Sequence, residues 1–137
     1  MTNRFVLENK ISSIQKYLTI LTKYEPLSQD EIIDDVDIKG AVERYLYLVT
    51  QSTIDLAEAV IAYKGYRKPA TFSEGFTILA ENKIINQDLE KRLVKMSGFR
   101  NALAHGYEKI NYEILHNALQ NSLKDIEEFI SLVKNIR

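Results

Sequence analysis

Arg100, Asn101, His105 and Tyr107 fall close together near the end of the chain, in the run Arg100-Asn101-Ala102-Leu103-Ala104-His105-Gly106-Tyr107. Few other residues offer reactive groups. The sequence has no cysteine, which excludes disulfides, thiol catalysis and zinc-thiolate sites. Its two histidines are His105 and His116, and neither has a neighbour at metal-ligand spacing. Carboxylates can hold magnesium, but no motif asks for a metal, and no cofactor is expected. The chemistry open to the run is metal-independent cleavage of an RNA phosphodiester. A guanidinium at Arg100 would grip the scissile phosphate and stabilise the charge that builds on it. His105, whose imidazole titrates near neutral pH, would take a proton from a ribose 2′-hydroxyl or deliver one to the departing 5′-oxygen. Asn101 could orient His105 or bond a phosphate oxygen, and Tyr107 could stack on a base or cover the helix end.

The position of Arg100 sharpens this reading. Leu89, Leu93, Met96 and Leu103 mark an apolar helical stripe, and the place between Met96 and Leu103 that completes it is Arg100. A permanently charged side chain on such a stripe needs a partner anion or a wet groove. The plain alternative is an internal ion pair, or a stem lying on the core with its head in water. On a regular helix Arg100 and His105 diverge by roughly 140°, whereas Asn101 and His105 are about 40° apart. Arginine and histidine therefore converge only if the helix ends or distorts between them, or if they meet across two chains. Gly106 is the expected end of the helix, which puts His105 in a last turn whose unpaired carbonyls favour the protonated ring. A bare helix cap is the plain alternative for His105. Gly98, within the same helix, costs about 1 kcal/mol relative to alanine; close approach of another backbone and simple tolerance both account for it.

An arginine followed at once by asparagine, then four residues on by histidine and two further by tyrosine, resembles the signature of the HEPN superfamily, and specifically of HepT-like toxins. The stretches Ala41-Val42-Glu43-Arg44-Tyr45-Leu46 and Ile54-Asp55-Leu56-Ala57 are similar to the second long helix of that family, and the resemblance runs over nearly the whole chain. It implies the toxin of a type VII toxin–antitoxin pair: a homodimeric endoribonuclease with Arg100 and His105 catalytic in a cleft shared by two copies, and Asn101 in support. It also implies a partner nucleotidyltransferase antitoxin that uses ATP to place AMP on the tyrosine, here Tyr107. Phosphate beside Arg100 and His105 would fill the anion site and repel RNA. Two other classes stay open. One is a non-catalytic nucleotide- or substrate-binding subunit of a nucleotidyltransferase complex; the other is a structural dimerisation bundle.

The whole composition sets the bounds. A chain of 137 residues fits a single domain, here 1–137, able to bury an ordinary core. The formal net charge of −1 excludes a generally basic nucleic-acid coat protein, so a polyanion must be met locally. Basic residues gather at Lys64, Arg67 and Lys68 beside Tyr63 and Tyr66, and at Lys91, Arg92, Lys95 and Arg100. Each group reads as a nucleic-acid contact or as a solvated surface. Asp34, Asp35 and Asp37 read as a solvated helix junction. No signal-peptide pattern and no apolar run of about 20 residues is present, so a cytoplasmic location without membrane is expected.

The elements that must position the motif are helices. Leu7, Ile11, Ile14, Leu18 and Leu21 predict one from about 3 to 24, ended by Pro26. Ser28 with Glu31 forms a capping box, with Leu27 and Ile32 as its staple, for a short helix that fades near Asp34 to Asp37. Val42, Tyr45, Val49, Ser52, Leu56, Val60 and Tyr63 predict a second long helix ended by Gly65 and Pro69. A short helix is expected from Phe72 to about Asn82. Asn86 caps the motif helix, with Asp88 set against its dipole. Asn111, with the staple Ile110 and Leu115, starts a final helix that His116 enters as a surface or packing residue. The sum is an all-α, antiparallel four-helix bundle with one or two short additional helices.

Overall fold

The structure, a computed structural model, describes residues 3–105 and 110–136, His105 by its backbone alone. Helix α1 spans Arg4–Thr22, and the Asn3 side chain caps it by accepting the Val6 amide at 3.1 Å. All five of its predicted apolar positions are buried. The Ser28 capping box forms as expected: the Glu31 amide donates to Ser28 Oγ at 3.1 Å, and the Ser28 amide donates to Glu31 Oε1 at 3.0 Å. It starts the short α2, Gln29–Asp34.

The acidic junction starts the next element. The Asp35 carboxylate accepts the amides of Asp37 and Ile38 and so caps α3, Val36–Lys64. Gly65 closes α3 in the left-handed conformation, φ 72°, that glycine adopts without a Cβ penalty. Helix α3 is the centre of the molecule. Val42, Leu46, Val49, Ile54, Leu56, Val60 and Ile61 bury more than one of its faces, because α1, α2, α4, α5 and α6 all pack on it.

Helix α4 is Glu74–Glu81, shorter at its start than predicted. Its Phe76 meets Phe129 edge to face, with ring centroids 5.8 Å apart, which ties α4 to the last helix. Asn86 caps α5, Gln87–Gly98, by accepting the Leu89 amide at 2.8 Å. The motif helix is not continuous, as the apolar stripe implied. It breaks at Phe99 and restarts as α6, Arg100–His105. The Phe99 amide bonds Met96 O at 3.0 Å, and Ser97 Oγ donates to Val94 O at 2.8 Å, so α5 ends in a tightened turn just after Gly98. Among the described residues nothing outside its own helix backbone and chain neighbours lies within 4 Å of a Cβ built on Gly98.

Asn111 caps α7, Tyr112–Asn117, accepting the amides of Glu113 and Ile114. The chain then widens into a π-helical stretch, Ala118–Ser122, before α8, Leu123–Lys134. That stretch and the turn before it are anchored to the α1–α2 loop: Gln120 Nε2 donates to Glu25 O at 2.5 Å, and a ring nitrogen of His116 lies 2.9 Å from Leu27 O. His116 is thus a packing residue. Helices α1, α3, α5 with α6, and α7 with α8 make the four-helix bundle, and α2 and α4 are the short additions. Among the described residues no helix is long and apolar enough to cross a membrane.

Candidate active site

Arg100 opens α6 directly after the break, half-buried against α3 while Leu89, Leu93, Met96 and Leu103 of the same stripe are buried. Among the described residues no carboxylate meets it. Its Nε donates to Gln51 Oε1 at 2.7 Å, and Nη1 donates to Asn101 Oδ1 at 2.9 Å. Its guanidinium carbon lies 5.6 Å from the centroid of Tyr47 and 4.9 Å from that of Phe72. The rest of the guanidinium fork has no acceptor among the described residues.

The partners come from α3 and from the loop before α4. Tyr47, Gln51 and Asp55 stand one helical turn apart on α3. Gln51 Nε2 donates to Asp55 Oδ1 at 2.9 Å. An amide whose nitrogen is held by a carboxylate presents its oxygen elsewhere, and here that oxygen fixes Arg100. Asp55 therefore orients the guanidinium through Gln51 without neutralising it. Phe72, 42% exposed, is an aromatic ring left at the surface beside the cation.

An open cleft of 460 Å³ lies against this group, lined by Gly40, Glu43, Arg44 and Tyr47 of α3 and by Arg100, Leu103 and Ala104. Glu43 is engaged on its other side, where the Tyr112 hydroxyl donates to Oε2 at 3.1 Å. The remaining arginine clusters contrast with the cleft. Arg92 binds Asp88, Asp125 and Glu128, which fastens α5 to α8. Arg67 takes Glu81 at 2.7 Å and Glu74 at 3.5 Å. That hydrogen bond holds the Glu81 carboxyl below its ordinary range. The basic loop at Lys64, Arg67 and Lys68 thus spends its arginine on α4, and Tyr63 and Tyr66 beside it pack on the core. Of the predicted site residues, Arg100 and Asn101 are brought together; Asn101 bonds the arginine rather than standing apart from it. The side chain of His105, and Gly106 and Tyr107 entirely, lie outside the described residues. Sequence reasoning missed Gln51, Tyr47, Phe72 and Arg44. The available signal was the polar row at positions 47, 51 and 55 on a helix otherwise buried on several faces.

Residues 14–133 match the family model described as Ribonuclease HepT-like. This chain belongs to the HepT-like ribonuclease family. It is 30% identical over 130 residues to the mRNA nuclease HepT of Shewanella oneidensis, covering 94% of this chain and 96% of the relative. It is 27% identical to the tRNA nuclease HepT of Aphanizomenon flos-aquae, over 95% of this chain and 88% of that one. Among solved structures it resembles the tri-AMPylated Shewanella oneidensis HEPN toxin in complex with MNT antitoxin, at TM-score 0.85 and 30% identity, over 95% and 97% of the two chains. A toxin–antitoxin crystal structure with AMP-PNP is similar at TM-score 0.86 and 27% identity, over 95% and 98%. The HepT-like membership agrees with the four-helix architecture and with the arginine and histidine that the sequence places on α6.

Proposed function

We propose that this HepT-like chain is the toxin of a toxin–antitoxin pair, a metal-independent endoribonuclease whose Arg100 and His105 act on one phosphodiester. The observation that carries the proposal is the state of Arg100. It is half-buried and oriented by two neutral amides and two rings, yet among the described residues it has no carboxylate partner, which leaves its charge for an incoming anion. His105 supplies the proton transfer and Asn101 holds the arginine.

Two copies complete the site. Arg100 and His105 stand five positions apart in one uninterrupted helical segment, α6, and on a regular helix such positions are separated by roughly 140° around the axis. The distortion at Phe99 precedes both positions. A twofold arrangement, in which Arg100 of one copy faces His105 of the other, removes the difficulty and supplies both an acid and a base. Inactivation is AMP transfer from ATP to Tyr107 by a nucleotidyltransferase antitoxin, a reading supported by the tri-AMPylated relative in complex with its MNT antitoxin.

The deciding experiment incubates purified protein with total RNA under chelator. Wild type is expected to release fragments ending in 2′,3′-cyclic phosphate, while His105→Ala and Arg100→Ala lower the rate by ~10²–10⁴ without unfolding the protein. Intact RNA with wild type, or equal cleavage by the variants, rejects the site. Light scattering should give a dimer mass. After incubation with the antitoxin and ATP, mass spectrometry should find the adduct on Tyr107.

A further inference from the structure

Arg44 shares the peculiarity of Arg100. It is exposed on α3, lines the same cleft, and makes no ion pair among the described residues. Its described contact is again Tyr47, whose ring centroid lies 6.0 Å from the Arg44 guanidinium carbon and 5.6 Å from that of Arg100. One ring thus carries both guanidiniums, neither of them ion-paired among the described residues, and their separation cannot exceed two such contact distances. Arginines that serve only to hold the fold look different here: Arg67 and Arg92 are each matched to two or more carboxylates.

Two cations in one open cleft suit two neighbouring phosphates of a single strand better than one phosphate alone. Glu43 in the same lining forms no ion pair with either arginine. Its carboxylate accepts the Tyr112 hydroxyl, and the Lys39 ammonium lies 5.4 Å from the centroid of that tyrosine's ring. Gly40 adds no side chain to the lining, and among the described residues a Cβ there would meet nothing within 4 Å.

We propose that Arg44 is a second phosphate-binding residue that takes the phosphate next to the scissile one, with Tyr47 as the platform that sets the spacing of Arg44 and Arg100. The assignment of the scissile phosphate to Arg100 rests on the ribonuclease reading; the second anion subsite does not. Single-stranded RNA is the ligand class, because its flexible backbone can follow the cleft and its binding is governed by phosphate neutralisation.

The test is the salt dependence of binding to a fluorescent single-stranded RNA oligonucleotide carrying 2′-O-methyl groups throughout, which cannot be cleaved through ribose attack. Arg44→Gln is expected to weaken binding and to reduce the slope of log affinity against log salt by about 0.7, the value for one lost contact on a single strand. Arg44→Lys should restore the slope, and Arg67→Gln should leave affinity and slope as in wild type. Equal slopes for wild type and Arg44→Gln, or no binding by wild type, overturn the subsite. A lowered slope in a protein that cleaves no RNA upholds the subsite and removes the ribonuclease reading. Normal cleavage with an unchanged slope does the reverse.

Discussion

Gln51 is the residue on which the geometry of Arg100 turns. A hydrogen bond to a charged group is worth about 1.5–3 kcal/mol, and here it holds the guanidinium at Nε. Gln51→Leu keeps the bulk of the side chain and removes both the bond to Arg100 and the one to Asp55. In a cleavage assay kcat is expected to fall about 10- to 100-fold, with far-UV circular dichroism unchanged; wild-type kcat would show that the orientation is supplied by the rings alone. Arg100 itself was legible in the sequence because a charge interrupts an apolar stripe, and that anomaly survives without coordinates. Its partners were not. Gln51 and Tyr47 are about 50 positions upstream, and a polar side chain on a long helix reads as solvated until the helix that covers it is placed. Phe72 was legible only as an apolar residue at a helix start, whereas its ring stays exposed beside the cation.

At the scale of elements, the termini were the readable part, since a cap is a local event. Ser28, Asn86, Asn111 and Gly65 all end or begin helices where their chemistry directs. Asn86→Ala should cost about 1 kcal/mol of stability, read as a lower urea midpoint at unchanged slope, because it frees the Leu89 amide at the start of the helix that leads to Arg100. The break at Phe99 and the π-helical stretch were not readable. Both arise where helices keep their apolar register while side chains bond carbonyls, Ser97 within its own turn and Gln120 across to another element, and periodicity alone cannot register either. Gly98 at the break gives a sharper test. With no other element of the described residues near the missing Cβ, Gly98→Ala should raise stability by about 1 kcal/mol. A loss instead, in urea melts that depend on protein concentration, would place the backbone of a second copy against that turn.

Over the whole molecule, stability comes from a core that reaches from α1 to α8, and charge adjusts it with pH. Phe129 is fully buried against Phe76, so Phe129→Ala should cost about 3–5 kcal/mol, a large share of the 5–15 kcal/mol typical of a domain, measured by chemical denaturation. Two carboxylates then pull in opposite directions. Glu81, held below its ordinary range by Arg67, contributes stability that is present above the usual carboxylate pKa and is lost as the solution is acidified through the lowered value. Glu58 on α3 is pushed upward, first by partial burial and then by the nearby Asp55, against the opposing pull of Lys10. The folded state therefore holds the Glu58 proton more tightly than the unfolded chain does. Its contribution is greatest below the ordinary carboxylate pKa and is lost as pH rises through the raised value. Glu58→Gln mimics the protonated form at every pH. It should melt at the same temperature as wild type near pH ~3.5 and at a higher temperature near pH ~7, a divergence that scanning fluorimetry across the range would record. A Glu58→Gln variant that melts below wild type at neutral pH would mean that the attraction of Lys10 outweighs the cost of burial and of Asp55.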